Sequence, residues 1–331
     1  YIMASGNLAA KLYKEDIEAV LRTRGMGGFE LLSLTDYTGQ STATVGILDV
    51  MYEEKGVISQ AEWKGFCSET VPLLWAKREF MEGEHLKGFV SLYDYGPDPL
   101  EKPEYLIDFV NAKTGKSLRK TAVVADGFKT PVDIPLDFVK GNVVIKVYIT
   151  VYKGEERYTN SWRIFVYKEN KPDFDLIAQR TVKNKEEFKK AAKTGGRYLI
   201  TPEFFEKEKL VKSSFIPVFW SPVHFPSEAS VGMMIDEKHG LLKYFPTEKY
   251  TDYQWKKPVE GSFGIRINEM VEKVSPVLEF VPNFDDNEPK SPLFTFKTGK
   301  AEFIYCGFDA KLSDPASKAL FFSVGEYLKN S

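Results

Sequence analysis

Histidine and cysteine are scarce in this chain, three and two among 331 residues. Cys67 and Cys306 lie far apart in apolar settings, Gly-Phe-Cys and Ile-Tyr-Cys. That spacing serves neither a metal site nor a redox pair, and inert burial is the default for such thiols. No apolar run reaches 18 residues, so no membrane-spanning helix is expected. An excess of one charge is also missing: 45 basic residues face 47 acidic ones, for a net charge of −2. The chain as a whole carries no electrostatic footprint for nucleic acid or an anionic membrane.

Aromatic residues are plentiful at 14%, with 25 Phe and 17 Tyr. They suit β-rich cores and also sugar binding, since rings stack on the apolar faces of pyranosides; core packing accounts for most of them. A chain of this length allows two or three domains.

The spacing of Leu8, Leu12, Ile17, Val20 and Leu21 predicts a helix over residues 7–23, with Lys11, Lys14, Glu15 and Glu18 on the polar side. Asn7 is its candidate N-cap and Gly25 its stop. After Gly27-Gly28, the apolar run Phe29, Leu31, Leu32, Leu34 has strand length and fits a strand buried on both faces. It closes in a polar knot, residues 35–40. Residues 42–52 resume an apolar pattern, as a final helix or turn. Ser59 with Glu62 forms a capping-box pattern opening a short helix through Phe66.

Residues 72–168 alternate with period two in stretches at 88–95, 105–110, 143–152 and 161–167, separated by Pro97-Asp-Pro, Lys113-Thr-Gly, Lys140-Gly-Asn and Lys153-Gly-Glu. Such strands predict an immunoglobulin-like β-sandwich. A charged, Pro-containing linker at 168–173 precedes a change to an α/β pattern. Strands are expected at 176–178, 197–201, 215–220, 277–281, 292–296 and 301–306, with helices at 185–193 and 314–329.

Several groups are candidates for chemistry. Glu30 interrupts the apolar run, where an acid is costly unless paired. Asp36 and Gln40 stand where a barrel's polar mouth would be, to hydrogen-bond sugar hydroxyls, although Asp36 serves equally to cap the following turn. Trp220 and Trp255 belong to aromatic clusters at 219–226 and 250–255, read either as a sugar-stacking surface or as interdomain packing. Asp285-Asp286-Asn287-Glu288 lacks the alternating ligands of a calcium loop and reads as a solvated turn. Neither His224 nor His239 has a sequence-visible partner for a Cys–His site, and Cys306 sits inside a strand rather than on an elbow. No catalytic residue, metal ligand or cofactor is assigned.

The segment Gly27-Gly28-Phe29 through Asp36, Tyr37, Gly39 and Gln40 resembles the end of the catalytic barrel in glycoside hydrolase family 2, the β-galactosidase-like proteins of Bacteroidetes type. Leu31 stands where that family has Trp. The segment beginning His239-Gly-Leu-Leu and ending Phe-Pro resembles an element of glutamine-amidotransferase-like domains that trail many glycosidases. The resemblance implies a multidomain α+β chain: residues 1–71 the terminal piece of a (β/α)8 barrel, 72–168 an immunoglobulin-like sandwich, and 172–331 an amidotransferase-like α/β domain. It implies retaining O-glycosyl hydrolysis in the parent, with Asp36, Gln40, Glu30, Trp220 and Trp255 as substrate-binding candidates and carbohydrate as partner. Such chemistry needs two carboxyls about 5–5.5 Å apart. The family supplies them from strands upstream of the eighth, and about one strand's worth of chain precedes Gly27. The chain is therefore expected to be the C-terminal part of a longer glycosidase, with the rest of the barrel upstream and no activity alone. The opening Tyr-Ile-Met-Ala-Ser-Gly reads as a strand cut open, so the lack of a signal-peptide pattern says nothing about compartment. A periplasmic or extracellular parent is what the resemblance implies. The competing expectation is a free-standing, non-catalytic carbohydrate-binding or structural module.

Overall fold

The first predicted helix begins earlier than its pattern indicates: α1 runs Ile2–Arg22, so the opening residues are helical rather than a strand, and Asn7 lies inside the helix instead of capping it. Gly25, at φ +89°, follows its end as expected. The computed structural model describes residues 1–37, 46–169, 171–215, 230–282 and 287–329. The chain divides into two units, Ala9–Lys168 and Tyr1–Leu8 with Glu169–Ser331. Its secondary structure is mixed, with more strands than helices.

In Ala9–Lys168, Ser59 caps α2 (Gln60–Phe66) through the reciprocal Ser59–Glu62 box that the sequence predicts. Eight strands follow: β1 (Thr70–Ala76), β2 (Glu79–Met81), β3 (His85–Asp94), β4 (Glu104–Asn111), β5 (Ser117–Val124), β6 (Thr130–Pro135), β7 (Val143–Lys153) and β8 (Glu156–Tyr167). They form two sheets, ordered β1-β3-β6 and β2-β8-β7-β4-β5. The period-two pattern is the cause of the sandwich. Along β7, Ile145, Val147, Ile149 and Val151 all point into a core shared with Leu74, Val90, Ile107 and Trp162. Gly115, Gly141 and Gly154 adopt positive φ at the turns where Gly was expected to supply it.

α1 packs by Ile17 and Leu21 against Phe66, Val71 and Leu73. Its supposed polar side is only partly solvated: Glu15 is exposed, but Glu18 is not. Glu18 is fully buried. Its carboxylate pairs with Lys14 and Arg22 and accepts hydrogen bonds from Asn160 Nδ2 and Trp162 Nε1, each at 2.8 Å. Arg22 also donates to the Leu74 carbonyl at 2.9 Å. Burial pushes the Glu18 carboxyl up, but Lys14, Arg22 and the Trp162 N–H outweigh it and hold it below the usual carboxylate range. A buried charge persists only when paired and hydrogen-bonded in this way.

The second unit begins with α3 (Phe174–Arg180), where Leu176-Ile-Ala was expected to be a strand. Asp173 accepts from Leu176 N at 3.1 Å and so starts a helix, and local capping overrides the apolar triplet. Then come α4 (Lys185–Thr194), β9 (Gly196–Ile200), β10 (Leu210–Lys212), β11 (Ser230–Ile235), α5 (Lys256–Val259), β12 (Phe263–Arg266), β13 (Val274–Pro282), β14 (Lys290–Thr298), β15 (Ala301–Cys306) and α6 (Pro315–Lys329). These strands make one seven-stranded sheet in which β9–β15 is parallel and the other named pairs are antiparallel. Phe296, Phe303 and Phe188 stack in its core. The first turn of α1 belongs here: a Cβ at Gly232 would come within 2.8 Å of the Ala4 carbonyl oxygen, so only glycine lets β11 approach the helix.

Candidate functional site

The run expected to be an eighth barrel strand is not a strand. Among the described residues from 25 to 37, the one ladder contact is a parallel bridge, Thr35 to Leu48. Residues 46–52 are bridge and turn rather than helix, and residues 42–45 lie outside the described residues. Phe29, Leu32 and Leu34 are exposed, Leu32 by 73%, and so are Met51 (73%) and Tyr52 (74%). A strand buried on both faces needs neighbours on both sides. Among the described residues no strand flanks the run, and Phe29, Leu32 and Leu34 meet water.

Glu30 is exposed, so it carries no burial cost and needs no partner. Asp36 is engaged: Oδ1 accepts from Gly46 N at 2.8 Å and from Lys55 Nζ at 2.7 Å, and Oδ2 lies 2.6 Å from the same ammonium. Lys55 also donates to the Gly46 carbonyl at 2.8 Å. Asp36 N donates to Leu48 O, and Leu48 N to Leu34 O. The carboxylate thus ties residues 34–36 to 46–48 and 55. A Cβ at Gly46 would fall 2.3 Å from the Thr35 carbonyl carbon, so this approach requires glycine. Burial, and then the Asp36 charge, raise the Tyr13 phenol above its ordinary value. Lys55 was not foreseen as the partner, because nothing in the sequence marks a pairing between residues 19 positions apart.

Gln40 and Trp220 lie outside the described residues, as do His224, Asp285 and Asp286. Trp255 is fully buried, packed on Phe245 at 4.4 Å and donating Nε1–H to Thr247 Oγ1 at 2.9 Å. Its ring offers no open face for stacking. Tyr253, two residues earlier, is the exposed ring of that cluster. Glu288 pairs with Arg266 at 3.1 Å. Among the described residues no group of three or more His, Cys, Asp and Glu side chains could hold a metal, and no helix is long and apolar enough to cross a membrane. Cys306 is buried at the end of β15, and burial pushes its thiol up to about 12. Such a thiol stays protonated at neutral pH and is a poor nucleophile. His239 Nδ1 accepts from Leu241 N at 3.2 Å, and burial lowers its pKa below the ordinary imidazole value. The imidazole is occupied in starting a 3₁₀ turn that buries Leu241 and Leu242.

A family model described as "Domain of unknown function (DUF8487)" matches residues 180–331. Comparison with curated proteins gives no match. Among solved structures, a Parabacteroides merdae β-glucuronidase is similar at 13% identity and a TM-score of 0.23, over 31% of this chain and 14% of that one. A Bacteroides uniformis β-glucuronidase is similar at 11% identity and a TM-score of 0.20, over 47% of this chain and 18% of that one. A family 76 glycoside hydrolase from a bovine Bacteroides thetaiotaomicron strain is similar at 14% identity and a TM-score of 0.22, over 33% of this chain and 23% of that one. The chain thus spans well under two thirds of each of these proteins.

Proposed function

We propose that this chain is the C-terminal region of a carbohydrate-degrading, β-galactosidase-like glycoside hydrolase of family 2, acting with retention, and that it does not catalyse hydrolysis alone. Residues 1–71 are the end of the catalytic barrel, 72–168 an immunoglobulin-like brace, and 172–331 a glutamine-amidotransferase-like domain without that chemistry. The observation that carries the reading is the exposure of Phe29, Leu32, Leu34, Met51 and Tyr52, in and just after the segment whose Gly27-Gly28-Phe29 and Asp36-Tyr37 pattern resembles a barrel's last strand. Soluble proteins seldom leave such a stretch in water unless something packs on it. With the rest of the barrel present, the Phe29–Leu34 run would gain neighbours, and Asp36 and Gln40 would stand at the sugar pocket. Trp220 would belong to the cleft wall, whereas Trp255 is a packing residue.

The isolated chain should not turn over an aryl β-galactoside; hydrolysis that persists unchanged through successive purification steps overturns the reading. In the full-length enzyme, Asp36→Ala separates its two roles. Lowered kcat/KM at constant stability assigns it to the substrate, while lowered stability with unchanged turnover leaves it a tie between loops. One observation favours the second reading, a free-standing carbohydrate-binding module: Tyr95 and Tyr152 present exposed rings on the sandwich.

A further inference from the structure

The parallel pair β9–β15 sets Gly196 beside Ala301 and Arg197 beside Glu302. There the second unit has an open groove of about 430 Å³, lined by Gly196, Arg197, Lys297, Gly299, Lys300 and Glu302 among others. Its floor is nearly bare of side chains for structural reasons. Gly195 and Gly196 both have positive φ, and a Cβ at Gly299 would lie 2.5 Å from the Ala192 carbonyl oxygen. The walls are cationic. Arg197 is fixed by Glu302 at 2.8 Å, by the Tyr327 carbonyl at 2.9 Å and by the Tyr327 ring at 3.8 Å. Glu302 is further satisfied by the Tyr327 hydroxyl at 3.1 Å. Its charge is spent on Arg197. Lys297 and Lys300, in and beside the turn joining β14 to β15, are exposed and have no ion pair among the described residues. Arg180 lies next to this floor: its Nη1 is 3.4 Å from where a Gly196 Cβ would sit, and it has no ion pair among the described residues either. Four cations thus surround one neutralised carboxylate, in a chain whose net charge is −2.

We propose that this groove binds an oxyanion, a carboxylate or sulfate group, with Arg197 as the fixed donor and Lys297 and Lys300 closing on it. Lys297, Lys300 and Arg180, with no ion pair among the described residues, give this concave surface a positive field that an anion relieves, and the guanidinium of Arg197, already immobilised, loses little entropy on binding one. The oxyanion has two natural sources, an acidic sugar or a free inorganic anion. The proposal does not rest on the glycosidase reading, which turnover tests separately.

The test is titration calorimetry of the full chain with glucuronate, glucose and inorganic sulfate. Saturable binding of glucuronate or sulfate, and none of glucose, is expected. Lys297→Glu with Lys300→Glu should weaken it at least tenfold, while the same charge change at Lys113 and Lys116, on the β4–β5 turn, should leave it unchanged. Urea unfolding confirms that both variants are folded. Glucuronate preferred over sulfate assigns the site to acidic sugars, and the reverse assigns it to free anions. No saturable binding of either anion, or equal loss in the two charge variants, overturns the site.

Discussion

Two stretches of the Ala9–Lys168 unit invert what their residue types suggest. On α1, Glu18 is charged and fully buried, with Lys14 and Arg22 closed around it. At Phe29, Leu32, Leu34, Met51 and Tyr52, apolar side chains stand in water. The difference lies in partners. Glu18 finds two cations and two N–H donors, from its own helix and from β8, whereas the Phe29–Leu34 run has no flanking strand among the described residues. Burial follows what a tertiary structure can offer a side chain, and residue type only sets the cost when the offer is missing.

The sharpest way to break the comparison is to remove the carboxylate. Glu18→Ala leaves Lys14 and Arg22 facing each other in a nearly closed site and should cost about 3–5 kcal/mol in urea unfolding, as for a broken buried pair. A loss within about 0.5 kcal/mol, typical of a surface position, would mean that Glu18 is solvated after all. Trp162→Phe keeps an aromatic side chain, though a smaller one, and deletes one donor to the carboxylate. A loss of about 1.5–3 kcal/mol is expected, the range for a hydrogen bond to a charged group.

Acid provides a gentler probe of the same group. Because the folded-state pKa of Glu18 lies below its unfolded value, its contribution is fully present above the unfolded carboxylate range of about 4.3 and fades as pH falls through the folded value. Stability measured from pH 5 downward should therefore decline less steeply in Glu18→Gln than in the parent chain. The smallest effect belongs to the other stretch. Leu32→Ser and Met51→Ser should each change the isolated chain's stability by no more than about 0.5 kcal/mol, since neither side chain is buried there. A loss near 2 kcal/mol at Leu32 would mean that this run packs against something in the isolated chain.

Legibility in the sequence tracks the range of the interactions. Where neighbours in sequence carry the cause, the reading holds: the Ser59–Glu62 box, the alternation of β7, and β15 at residues 301–306. Where the cause lies far along the chain, it fails. The donors that bury Glu18 come from residues 142 and 144 positions away. The first turn of α1 lies against Gly232, far along the chain. At the candidate site, the tie from Asp36 to Lys55 was invisible, and Trp255 differs from Tyr253 in burial although both sit in one short aromatic cluster. The groove at Arg197, Lys297 and Lys300 leaves no local motif, because two strands distant in sequence bring it together.

Under the proposed function, this chain is part of a larger glycosidase whose barrel covers Phe29, Leu32, Leu34, Met51 and Tyr52. An antibody raised against the chain, with intact mass spectrometry of what it captures from the source cells, tests that claim most directly. A polypeptide much heavier than 37.7 kDa that hydrolyses an aryl β-galactoside is expected. A polypeptide of 37.7 kDa contradicts it.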